Sequence, residues 1–307
     1  MEEKQAPQKK SASVMIKALL VMLLWGSLYP MVKLGYQKFG VRTANTSDLL
    51  LFAGVRFVLC GGIVSLFCAA KKRQSIERTK RGWSAVLLVA LFSVALHYSF
   101  TYIGLSKADS SKTALLKQLG TLFFICFSFL FFKEEKFSAR KGVGAIFGVA
   151  GIICINTDAV RFSLGVGEIL IVSSSFCTVL SNVFLKKLSP KADPVFTVGF
   201  SQLLGGAVLL ILGLLTGGRL HMPTAVGWLV FLYIAFANIA GYLLWYSVVG
   251  KAELSYLFLI KLSEPLFAML AGAALLGENI LRWQYLLAFL CIAAAVIISN
   301  LSPKRKK

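Results

Sequence analysis

Charge is scarce in this chain. Charged residues fill 15% of its 307 positions, against about 25% in an ordinary soluble domain. Acidic residues are scarcer still, at 13 Asp and Glu in all. There are only two histidines, and the six cysteines (Cys60, Cys68, Cys126, Cys154, Cys177 and Cys291) all fall in apolar runs without CxxC or Cys/His spacing. They read as small packing residues, not as a metal or disulfide framework. No nucleophile and base constellation, Gly-rich phosphate loop or metal-ligand cluster can be found, so nothing indicates an enzyme, and neither a cofactor nor a metal is expected. The lack of an ATP-binding motif excludes a pump that hydrolyses ATP with its own chain.

What is abundant is apolar sequence. Hydrophobic residues make up 57% and the mean hydropathy is +0.77. Runs of roughly 20 apolar residues, enough to cross about 30 Å of hydrocarbon, recur ten times: 15–35, 48–70, 83–104, 112–132, 139–157, 165–185, 194–215, 225–248, 254–276 and 282–301. The fold class expected is therefore all-α, a polytopic membrane protein of ten transmembrane helices. The first run lacks a small-residue cleavage pattern and reads as a span, not a removable signal peptide.

Basic residues give the net charge of +20, and their distribution excludes nucleic acid as a partner, since they are scattered over short loops. With the N-terminus inside, the inside segments hold 22 Lys and Arg, the outside segments eight, and the spans three: Arg56, Lys117 and Lys261. The positive-inside rule then places both termini in the cytoplasm of a cell bearing the chain in its plasma membrane.

The most informative pattern is a repeat. Residues 98–123 slide onto 242–267 with a constant offset of 144 and no gap, and nine of 26 positions are identical, among them Tyr98/Tyr242, Tyr102/Tyr246, Lys107/Lys251 and Lys117/Lys261. Such agreement points to internal duplication. Ten spans in two units give five helices per unit, and an odd number inserts the second unit upside down. The division expected is a tail at 1–14, a first five-helix repeat at 15–157, a second at 158–301 and a basic tail at 302–307. This internal pseudo-dimer needs no second subunit, and a monomer in a lipid bilayer is expected.

LWGSLYPMVK (24–33), the lone Arg56 in the second span and SEPLFAMLAGAALLGE (263–278), followed by a final small-residue helix, resemble the EamA-type members of the drug/metabolite transporter superfamily. The resemblance covers essentially the whole chain. The first half departs from the pattern, with Gly120-Thr121 where the second has Glu264-Pro265, and Lys133 before Glu134 where Gly277 precedes Glu278. The resemblance implies ten helices around a central cavity and transport of a small metabolite, driven by exchange or by a gradient. It also implies that lysines on the fourth and ninth spans contact anionic substrate, as they do in the phosphate-metabolite and nucleotide-sugar branches.

Lys117 and Lys261 are thus substrate-binding candidates, expected to bracket the midplane because their helices run in opposite directions. An ionisable group within a span costs about 2.5–3.5 kcal/mol on insertion scales unless it faces a partner or water. The competing reading is that Lys117 snorkels to the headgroups and that Lys261 is neutralised by Glu264 on the same helix face. Trp25, Tyr98 and Tyr242 are the aromatic candidates for the cavity wall, against the alternative of interfacial anchoring. Glu264 and His97 are candidates for proton coupling; Pro265 should kink the ninth helix beside Lys261. Glu134 and Glu278 read as helix terminators, and Arg56, approximately matched to Gln202, either braces helices or touches ligand. The function expected is a secondary transporter, exporter or exchanger of small organic metabolites by alternating access, with an anionic or zwitterionic solute preferred. The alternative is a proton-coupled exporter of amino acids or amphiphilic compounds, and a more distant one is an integral-membrane enzyme or receptor.

Overall fold

The computed structural model describes residues 12–70, 80–131, 139–158, 161–162, 165–188, 194–249, 260–261 and 263–300. Ten apolar helical passages run through them. They are α1 (Ala12–Lys38), α2 (Thr46–Ala70), a continuous rod of α3 (Lys80–Val89), a π-helical stretch (Ala90–Leu96) and α4 (His97–Leu105), then α5 (Ser110–Phe131), α6 (Ala139–Asn156), α7 (Val166–Leu188), α8 (Pro194–Leu215), α9 (Ala225–Val249), α10 (Glu264–Leu276) and α11 (Trp283–Asn300). Two-residue strands, Thr157–Asp158 and Arg161–Phe162, pair antiparallel between α6 and α7. Five helices are long and apolar enough to cross a bilayer unaided. Large apolar side chains such as Leu66, Ile146, Leu215, Leu229 and Phe236 point outward, a surface that water would penalise and lipid tails solvate.

The packing repeats the duplication. α2 lies along α8 and α6 along α11, each pair joining the same span of the two halves. α1 touches α9 and α10, while α7 touches α4 and α5. Exchanging the halves turns one set of contacts into the other, which is an inverted pseudo-two-fold. The seam between α2 and α8 is drawn tight by glycine: a Cβ on Gly61 would stand 2.2 Å from the Leu203 nitrogen, and one on Gly54 2.3 Å from that of Leu210. Only a missing side chain lets two backbones meet so closely, the usual means of gaining dispersion contact where lipid gives no hydrophobic drive.

At the end of the bundle where α1 finishes and α5 begins, ion pairs tie the halves together. Lys33 meets Glu278 at 3.5 Å, and the Ser110 amide donates to the same carboxylate at 2.9 Å. Lys112 donates to Glu168 at 2.6 Å. Glu278 therefore does more than the helix termination expected of it. The stop itself comes from Gly277, whose φ of 65° is the left-handed turn that glycine permits. Lys133, Glu134, Lys251 and Glu253, together with 1–11 and 301–307, lie outside the described residues.

Candidate functional site

The polar centre is assembled from helices of both halves. His97 opens α4, where the wide π turn returns to α-helix, a local form that often marks functional positions. Its next turn places Thr101 on the same face. Lys117 sits seven residues into α5 from Ser110, roughly 10 Å along the axis. Its Nζ lies 3.1 Å from His97 Nε2 and donates to Thr101 Oγ1 at 3.3 Å. The rings of Tyr29 and Tyr98 each have the ammonium 5.8 Å from their centroids, within cation–π range.

On its other side His97 meets α7. Nδ1 is 2.8 Å from the Ser174 carbonyl oxygen and 2.8 Å from Thr178 Oγ1. A carbonyl can only accept, so Nδ1 carries the hydrogen and Nε2 presents a lone pair, the arrangement that receives a Lys117 N–H. Lys117 does not snorkel; its charge stays inside among aromatic rings, a hydroxyl and an imidazole. Ser175 Oγ also donates to the Lys117 carbonyl at 3.4 Å.

The second half supplies Lys261 and Glu264. Lys261 stands close enough for its charge to act on both Lys117 and His97. Glu264 takes the Tyr29 hydroxyl on Oε1 at 2.8 Å and pairs with no lysine among the described residues, so the neutralised Lys261–Glu264 pair of the sequence reading does not form. The expected kink at Pro265 takes another form. α10 begins at Glu264 with Pro265 in its first turn, and Ser263 closes the preceding turn by donating from N and Oγ to the Ile260 carbonyl at 2.9 and 2.7 Å. Proline needs no donor in a first turn, so it is accommodated at the start of α10, just after the turn at Ser263 and close to Lys261, where the kink was expected. α1 fits against this start, since a Cβ on Gly26 would lie 2.7 Å from the Glu264 carbonyl oxygen.

Aromatic side chains form a wall across the pseudo-axis. Tyr98 and Tyr242, separated by the repeat offset, meet hydroxyl to hydroxyl at 3.3 Å. Trp25 lies 5.4 Å from Tyr242 and 5.5 Å from Trp245, centroid to centroid. Trp25, Tyr98 and Tyr242 are half-buried and form a chain of contacts between the two halves.

Behind the wall lies Arg56, 1% exposed. Its Nη1 bonds the Tyr102 hydroxyl, Nη2 donates to Asn238 Oδ1 at 2.9 Å, and Asn238 passes the chain to Gln202 at 3.0 Å. The Phe57 ring sits 4.6 Å from the guanidinium carbon, and no described carboxylate pairs with it. The approximate match of Arg56 to Gln202 becomes a physical connection through Asn238. Thr101, Ser174 and Asn238 were not among the sequence candidates; Tyr29 was legible as a motif aromatic of the LWGSLYPMVK segment, and Thr178 through the polar interruption of its span at 176–184.

Known proteins resemble the chain along its full length. A Bacillus subtilis protein named "Uncharacterized transporter YvbV" is 29% identical over 99% of this chain and 96% of its own. A Salmonella typhimurium protein named "Probable amino-acid metabolite efflux pump" is 26% identical over 91% and 92%. A solved structure, titled simply as the crystal structure of a protein, superposes with a TM-score of 0.63 at 18% identity, over 95% of this chain and 97% of that one, and shares the fold. Residues 12–157 and 165–300 each match one family, and by both matches the chain is an integral membrane protein belonging to the EamA-like transporter family.

Proposed function

We propose that this membrane transporter is a secondary carrier of a small organic metabolite, with preference for an anionic or zwitterionic solute, working by alternating access between its two halves. One observation carries the preference: among the described residues the charges that bear on Lys117 are two further cations, Arg56 and Lys261, against one carboxylate, Glu264. Uncompensated cations in a span are costly unless a ligand or water answers them, and a carboxylate or phosphate would do so. Lys117 and Lys261 are assigned to the anionic group, while Trp25, Tyr98 and Tyr242 pack against the solute's body. Glu264 can answer an ammonium group where the solute carries one. The amino-acid metabolite named for the Salmonella relative supports a zwitterion. The halves correspond to the two five-helix repeats, with both termini cytoplasmic and the chain in the plasma membrane as a monomer, which the positive-inside distribution of lysine and arginine supports. A role in catalysis is not part of this reading.

Reconstitution in liposomes with a panel of anionic, zwitterionic, neutral and cationic solutes tests it. Uptake of anions or zwitterions that collapses in Lys117→Ala and Lys261→Ala is the expected result. Uptake confined to neutral or cationic compounds and unchanged in both variants would overturn the anion site.

A further inference from the structure

We infer that His97 and Lys117 together form a proton site that holds one proton between them while the anion is absent and takes up a second when it is bound, so that the solute's anion and a proton occupy the carrier together. The inference rests on Lys117 as the anion's partner, as proposed above.

The hydrogen inventory leads to it. With Nδ1–H committed to the Ser174 carbonyl at 2.8 Å, Nε2 is the one basic position left on the ring, and Lys117 Nζ is 3.1 Å from it. An ammonium can donate to a lone pair. If Nε2 takes a proton, ammonium and imidazolium both become donors with nothing between them, and like charges at such a distance repel strongly where water is sparse. Either Lys117 gives its proton away or it moves off. Thr101 Oγ1 already accepts from Lys117, at 3.3 Å, and offers it no anionic destination.

An anionic solute supplies that destination. Once a carboxylate or phosphate holds the Lys117 ammonium, Nε2 loses its donor and faces a negative charge, and a hydronium ion from the open side can deliver its proton there, leaving water. Transport to the other side reverses the step: the anion departs, Lys117 returns to Nε2, and the imidazolium proton passes to water. Other groups facing the pair do not substitute for this exchange. From α1 comes Tyr29, whose hydroxyl is donated to Glu264. α4 itself adds Tyr98, bonded to Tyr242 of α9. Arg56 from α2 and Lys261 near α10 are further cations acting on Lys117, and Glu264 of α10 is the one acid that does. α7 contributes the Ser174 carbonyl and the Thr178 hydroxyl to His97 and the Ser175 hydroxyl to the Lys117 carbonyl. For a monovalent anion the cycle carries no net charge, and it moves solute and proton in the same direction.

The chain has two histidines, His97 and His221, so ¹⁵N-histidine labelling of the full chain in lipid bilayers gives two ring spectra, assigned with His221→Gln. Without ligand at neutral pH, His97 should be a neutral ring with its hydrogen on Nδ1. A hydrogen on Nε2, or a doubly protonated ring, overturns the inference without reference to any solute. In proteoliposomes, inorganic phosphate, succinate and glutamate serve as probes. With the membrane potential clamped at zero, a transported probe should accumulate up to about tenfold for each unit of pH difference, the value for one proton per solute. That steady-state ratio, which is independent of rate, should fall to one in His97→Gln and in His97→Asn. Accumulation that survives both variants, or uptake by the unaltered protein that ignores the gradient, sinks the proton site. Anion uptake indifferent to Lys117→Ala and Lys261→Ala would instead strike at the solute site beneath it.

Discussion

Lys117 and Lys261 are the same residue of the duplicated unit, yet they live in different surroundings. Lys117 projects from an unbroken helix and is held by His97, Thr101 and two tyrosine faces. Lys261 stands just before a helix start, in the half that carries Glu264 and Pro265 in place of Gly120 and Thr121. Duplication conserves where a charge sits, and the partners added to each copy decide what it can do. One copy has an imidazole nitrogen 3.1 Å from its ammonium; the other has a carboxylate nearby that takes a tyrosine hydroxyl, at 2.8 Å, and not the lysine. An inverted repeat therefore doubles a position without doubling a role.

The widest separation of the two copies should come from Lys117→Ala. It removes a charge-assisted contact and strands the His97 lone pair, together about 3 kcal/mol, so uptake of an anionic solute should fall roughly 100-fold. Lys261→Ala, with no fixed partner among the described residues to strand, should cost about tenfold in the same assay. Equal losses would erase the asymmetry. Next, Glu264→Gln keeps an acceptor for Tyr29 and should preserve the thermal transition in detergent, whereas Glu264→Ala leaves a buried hydroxyl without its partner and should lower stability by about 1–3 kcal/mol. The same shift in both variants would mean that charge, not the hydrogen bond, holds α1 to α10. The smallest effect belongs to the rim: Glu278→Ala releases Lys33 and the Ser110 amide together, for about 1 kcal/mol. The thermal transition in detergent should fall accordingly. An unchanged transition would show that the rim adds nothing to the join between the halves.

The sequence revealed more of the fold than of the site. The offset of 144 and the odd number of helices implied inversion, and the mated packing of α2 with α8 and of α6 with α11 shows it. Trp25, Tyr98 and Tyr242 were legible as repeated or motif aromatics. The contact between Lys117 and His97 was not, because it depends on which face α4 presents after the π stretch, and a π turn changes register without changing composition. Ser174 enters through a backbone carbonyl that any residue would have supplied. Pro265 was read as a bend because helix propensity sees a missing donor; the turn that Ser263 closes onto Ile260, which puts the proline in the first turn of α10, was not legible. The Arg56–Asn238–Gln202 chain was half visible, since pairing across 182 residues needs a third helix to complete it.

The hydroxyls of Tyr98 and Tyr242 meet at 3.3 Å across the pseudo-axis, and that contact has a consequence for assembly. A residue on such an axis touches its own image, so a lone five-helix unit able to insert in both orientations would meet a second copy of itself through one tyrosine, in an isologous pair. Read this way, the tyrosine pair is the join at which two separately made halves would recognise each other, and the covalent link between them mainly sets their ratio at one to one.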